Sequence, residues 1–158
     1  MNKICYLTAT IAVFTLTLFS CGKDDSTQTI EESNTIVGEW QLLTSTFSVN
    51  EDGDTSTDVT DHEKLGKPSI VTFSDDGKVD IIIYSMLNDT LSSHRETGRY
   101  TKKDDTTLSL TLTEVGEDEP YAINFERYKI EGKQLTFYTV ERYSNIFIEG
   151  YFVARRIK

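Results

Sequence analysis

Thr106-Thr107-Leu108-Ser109-Leu110-Thr111-Leu112-Thr113-Glu114-Val115 decides the fold. Leucines 108, 110 and 112 share one side of an extended chain, while the threonines and Ser109 take the other. Side chains alternate across a strand with period two, so this stretch reads as a strand with one buried and one wet face. The pattern recurs on both sides of it, giving eight runs: 38–49, 69–73, 78–86, 91–101, 106–115, 121–130, 134–143 and 145–157. β-branched and aromatic residues dominate these runs, and no segment carries a helical stripe. Leu135 and Phe137 share a face. In the last run Ile146, Ile148, Phe152 and Ala154 share another, with Gly150 between them, while Glu149, Tyr151 and Arg155 point the opposite way.

The links between runs are turn-like. Ser74-Asp75-Asp76-Gly77, Lys103-Asp104-Asp105 and Glu131-Gly132-Lys133 supply the Gly and Asp that tight hairpins need. Only the link 50–67 is long. Sequential short hairpins favour a meander over a Greek key. Eight antiparallel strands in a meander can close into an up-and-down barrel, which leaves no exposed edge. The expected class is therefore all-β, an eight-stranded antiparallel up-and-down barrel. Leu42, Leu110, Phe125, Phe137 and Phe152 are its large inward residues and the candidate ligand-binding set. A barrel of this size is either filled by its own side chains or holds one small ligand.

The N-terminus has a different character. Met1-Asn2-Lys3 precedes an uncharged run, 4–19, and then Ser20-Cys21-Gly22. A basic start, a short apolar stretch and a small residue at the cut describe a secretory signal peptide over 1–20. The run is too short for a membrane span of ~20 residues, and Thr8, Thr10, Thr15 and Thr17 dilute it. Leu18-Phe19-Ser20-Cys21 resembles the lipobox of bacterial lipoproteins, which implies cleavage before Cys21 and acylation of that cysteine, palmitate among the chains. Lys23-Asp24-Asp25 resembles the export signal of Bacteroidetes-type surface lipoproteins, which implies a place on the outer face of the outer membrane. Residues 21–35 then read as a lipidated flexible tether and 36–158 as the domain.

The two cysteines are Cys5 and Cys21. Neither belongs to the expected domain, which leaves it without disulfide, thiol nucleophile or cysteine metal ligand. The formal charge of the whole chain is −10, and loss of the signal peptide removes only Lys3, leaving −11. Such acidity argues against nucleic-acid binding, because phosphates require basic patches.

Ile36-Val37-Gly38-Glu39-Trp40-Gln41-Leu42 opens the first strand, followed later by Phe73-x3-Gly77 and Gly98-x-Tyr100. With the aromatic-rich last strand, this pattern resembles the lipocalin-like domains of Bacteroidetes-type surface lipoproteins, over 36–158. The resemblance implies that Gly38 and Trp40 form the barrel base and that an arginine of the last strand packs on the indole. By parity Arg156 faces inward and is the candidate. The other reading of Trp40 is a core aromatic in some other barrel or sandwich.

No catalytic constellation is visible, and the expectation is a non-enzyme without cofactor or metal. His62 and His94 sit among charged residues and read as solvated surface histidines. Asp52, Asp54, Ser56, Asp58 and Glu63 are spaced like a calcium loop, but Thr57 replaces the turn glycine and no helices flank it. The link 50–67 reads rather as an acidic, mobile loop over the open end, a possible lid. Asp25-Ser26-Thr27, Asp89-Thr90-Leu91 and Asp105-Thr106-Thr107 resemble O-glycosylation sites of the same bacterial group. Two functions follow: a membrane-anchored barrel that binds a small apolar or amphipathic ligand, or an interaction subunit that meets a protein or glycan at the outer membrane through outward Tyr138 and Tyr151.

Overall fold

The computed structural model describes residues 35–158. Residues 1–20, read as a signal peptide, and Cys21, Lys23-Asp24-Asp25 and Asp25-Ser26-Thr27 lie outside the described residues. Among the described residues nine strands form one antiparallel sheet: β1 (Gly38–Glu51), β2 (Asp54–Asp61), β3 (Ile70–Phe73), β4 (Lys78–Leu87), β5 (Thr90–Lys102), β6 (Leu108–Glu114), β7 (Tyr121–Glu131), β8 (Gln134–Tyr143) and β9 (Ile146–Arg156). β3 to β9 pair in chain order, and β9 pairs back onto β1 from Trp40↔Arg156 to Glu51↔Ile146. This closes an eight-stranded barrel of β1 and β3–β9, the class that the alternation implied.

β2 is the addition to that plan. Residues 38–41 of β1 pair with β3, and residues 44–51 pair with β2 along the same edge. The link 50–67, expected as a mobile lid, is instead largely this strand followed by a 3-10 turn, His62–Leu65. The local reason is legible. Asp52 and Gly53 both adopt positive φ, 53° and 95°, which is what a two-residue hairpin turn requires. Thr55, Thr57 and Val59 then supply alternating β-branched residues. The calcium spacing dissolves in this geometry: Asp54 and Asp58 lie about 13 Å apart along an extended strand. Among the described residues no group of three or more His, Cys, Asp or Glu could hold a metal.

The inner face carries the core: Trp40, Leu42, Phe73, Val79, Leu108, Leu110, Leu112, Leu135 and Ala154 are all buried. Outward on β5 stand Ser93, Arg95, Thr97, Arg99 and Thr101, all exposed. A barrel that spans a bilayer puts its apolar band outside; this one is apolar within and polar without. Two register shifts adjust the inner face, between Leu42 and Thr44 and between Phe125 and Arg127. Each bulge adds one residue to its strand, so Leu42 and Ser45 are both buried, as are Phe125 and Tyr128.

Candidate functional site

One end of the barrel is sealed. Gly38 has φ +136°, and a Cβ there would stand 2.5 Å from the Lys158 carbonyl oxygen. Only glycine lets the chain enter β1 against its own C-terminus. Two residues on, Trp40 is 0% exposed. Its Nε1–H donates to the Ile36 carbonyl at 2.7 Å, satisfying the indole inside the plug. Arg156 lies across the ring, with its guanidinium carbon 4.4 Å from the ring centroid. Its Nη2 also donates to the Thr35 carbonyl, which ties down the entering chain. Arg155 points outward, to Gln41 and Glu63.

Above this plug the aromatic side chains form a ladder. Phe73 touches Tyr100 and Phe137, Phe137 touches Phe125, and Phe125 touches Phe152, with centroid separations from 4.8 to 6.1 Å. Phe152 meets Phe47 edge-on at 5.2 Å. The ladder borders a cavity of about 90 Å³. Leu42, Leu110, Phe125, Phe137 and Phe152, the five residues singled out by parity, all line it. Val71, Phe73, Ile81, Ile83 and Ile123 complete the apolar wall, and one carboxylate, Glu96, joins them.

Glu96 belongs to a charged cluster at the open end, which alternation alone did not single out. On β5, His94, Glu96, Gly98 and Tyr100 share the inward parity, so counting back from Tyr100 is the signal that finds them. Glu96 is 7% exposed. It accepts from the Tyr121 hydroxyl, which reaches over from β7, and its Oε1 lies 2.6 Å from His94 Nε2. The other ring nitrogen of His94 lies 2.8 Å from Glu114 Oε1, on β6. A histidine flanked on both nitrogens by carboxylates can satisfy both only as imidazolium. The hydrogen bond to Glu96, with the attraction of Glu96 and Glu114, raises the His94 pKa above 6.5 against an opposing effect of burial. Burial, then the bond to Glu96, pushes the Tyr121 phenol well above its usual range.

His62 departs furthest from expectation. It is 3% exposed, not a solvated surface residue. The 3-10 turn swings it into the wedge left where β1 changes partner from β3 to β2. Its Nε2 lies 3.0 Å from Ser45 Oγ and its Nδ1 3.1 Å from Ser69 Oγ. Ser69 Oγ in turn accepts the Tyr84 amide at 2.9 Å. The neutral ring thus stitches three wall segments, and burial lowers its pKa. His94 keeps a side chain 40% exposed, as expected of a surface residue, but both its nitrogens are engaged.

On the outer wall Tyr138 has two partners: the Arg127 guanidinium carbon lies over its ring, 4.8 Å from the centroid, and its hydroxyl donates to Glu149 at 2.5 Å. Tyr151 is the exposed neighbour of Tyr138 across the β8–β9 pair. Thr90 sits at the β4–β5 hairpin tip, while Thr106 lies in the β5–β6 turn, where its hydroxyl donates to Asp104.

No family model matches the chain, and no curated protein is similar to it at a significant level. Among solved structures, the crystal structure of Ail, the attachment invasion locus protein of Yersinia pestis, aligns over 75% of this chain and 97% of that one, at 7% identity and a TM-score of 0.32. A likeness of that size carries no argument about function.

Proposed function

We propose that this chain is a lipoprotein held in the outer membrane through lipid on Cys21 and displayed on the cell surface, whose barrel binds a small apolar or amphipathic ligand through its open end. The observation behind the ligand reading is the cavity: five large inward side chains from five strands leave a space bordered by a single buried carboxylate. At about 90 Å³ it is far smaller than drug-sized pockets of roughly 300 Å³ and above. The ligand, or the part that enters, is correspondingly small. The described chain begins at the sealed end, pinned by Arg156 at Thr35 and by burial of Ile36.

We assign the barrel to the lipocalin-like class on Gly38-x-Trp40 at the start of β1 and on Arg156 stacked over the indole. The binding role is read as non-enzymatic: His62 serves the wall, and His94 serves as a cation between carboxylates. Native mass spectrometry of the protein purified from its host tests the ligand reading; a mass equal to that of the processed, lipidated chain alone would sink it. Cys21→Ala should move the protein out of the membrane fraction, and retention there would refute the anchor. Replacing Lys23-Asp24-Asp25 by alanines should make the protein resistant to protease added to intact cells; unchanged cleavage removes surface export. The second reading, an interaction subunit, is favoured by one observation: the Arg127–Tyr138 stack with exposed Tyr151 beside it. Tyrosine suits such half-wet contacts.

A further inference from the structure

We propose that the cavity receives the apolar end of a monocationic amphiphile, a short alkylammonium, whose charged head sits on Glu96 at the open end. This rests on the ligand-binding reading above and narrows it to one charge class.

Size comes first. About 90 Å³ accommodates roughly three water-sized groups, which corresponds to a chain of three or four carbons. The walls are apolar apart from Glu96, so whatever enters must be apolar except where it meets that carboxylate.

Charge decides the rest. Around His94, β5 contributes Glu96, β6 contributes Glu114, β7 contributes the neutral Tyr121 phenol, and β4 places apolar Ile83 opposite it. The ion pairs of Glu96 and Glu114 both go to His94. Two carboxylates share one imidazolium, which leaves one negative charge over, spread between buried Glu96 and the half-exposed Glu114. A buried charge without full compensation is costly. An arriving ammonium relieves that cost. A carboxylate or phosphate head would add to it, so fatty acids and anionic lipids are disfavoured. When His94 loses its proton the cluster gains a further negative charge, and the site should hold a cation more tightly.

The test uses the full lipidated chain in phosphatidylcholine nanodiscs, with isoleucine and leucine methyls labelled for NMR. Three probes of equal chain length are titrated: butylammonium, 1-butanol and butyrate. Butylammonium should shift the methyls of Ile83, Ile123 and Leu110, with an affinity at least about tenfold above either other probe. Its affinity should rise as His94 deprotonates, while that of 1-butanol stays constant. Glu96→Gln should reduce butylammonium to the level of 1-butanol. If 1-butanol binds as tightly as butylammonium, or butyrate more tightly, the charge class is overturned and the ligand reading survives. If no probe shifts the cavity methyls, both fall. Should Glu96→Gln not fold, Glu114→Gln at the wetter edge should weaken butylammonium alone; equal affinities for wild type and variant would overturn the proposal.

Discussion

Trp40 and Phe47 stand on the same strand and face the same interior, yet one is 0% and the other 42% exposed. Around Trp40 the chain is over-determined: the indole has its hydrogen bond, Arg156 covers its face, and Gly38 brings the C-terminus against it. Around Phe47 the barrel opens onto water, and its inward positions turn from leucine and phenylalanine to His94, Glu96, Glu114 and Tyr121. The same alternation therefore builds a plug at one end and a charged mouth at the other. The plug contributes mostly to stability. The mouth carries a carboxylate that is 7% exposed and a histidine between two carboxylates, and perturbed groups of this kind are where function is to be sought.

Trp40→Ala should show the contrast most strongly. Truncating a buried tryptophan typically costs ~3–5 kcal/mol, whereas half-buried Phe47→Ala should cost about 1 kcal/mol. Urea melts of the two variants measure both losses; equal losses would break the division between the ends.

Arg156→Ala sharpens the account of the plug. A partly desolvated cation over an indole is worth roughly 1–2 kcal/mol. The loss should not add to that of Trp40→Ala, because each change removes the same contact. A double mutant whose loss equals the sum of the singles would mean that Arg156 acts elsewhere.

The smallest effect separates the two histidines by the sign of a pH dependence. His94 has a raised pKa, so its contribution is complete below 6.5 and fades as pH rises through the folded-state value. His62 has a lowered pKa, so the unfolded chain binds its proton first and stability declines as pH falls below 6.5. His94→Gln therefore leaves a chain whose stability rises with pH across this range, and His62→Gln one whose stability falls. Thermal melts at roughly pH 5 to 8 should diverge in slope, with the titrations of carboxylates remote from both histidines cancelling in the difference. Parallel slopes would sink the assignment of one histidine to the wall and the other to the mouth.

The alternation of 106–115 and its neighbours, with Gly and Asp in the turns, was enough for the eight strands of the barrel, their order and its closure, because both signals act within a few residues. It was also enough for the inward set Leu42, Leu110, Phe125, Phe137 and Phe152, since parity is a property of each strand alone. The extra hairpin has a local signal in Asp52-Gly53, but the residues that follow are too polar for alternation to mark them as a strand. β2 is held to β1 by backbone pairing, which hydropathy does not report. The bulges beside Leu42 and Phe125 were not legible, because a register shift is settled by the partner strand. Nor was the meeting of His94, Glu96, Glu114 and Tyr121, which come from three strands and converge only once register and closure set their heights. His62 shows the same limit in a single residue. Its charged neighbours in the chain suggest water, but the wedge between β2 and β3 buries it, and only the tertiary structure contains that wedge.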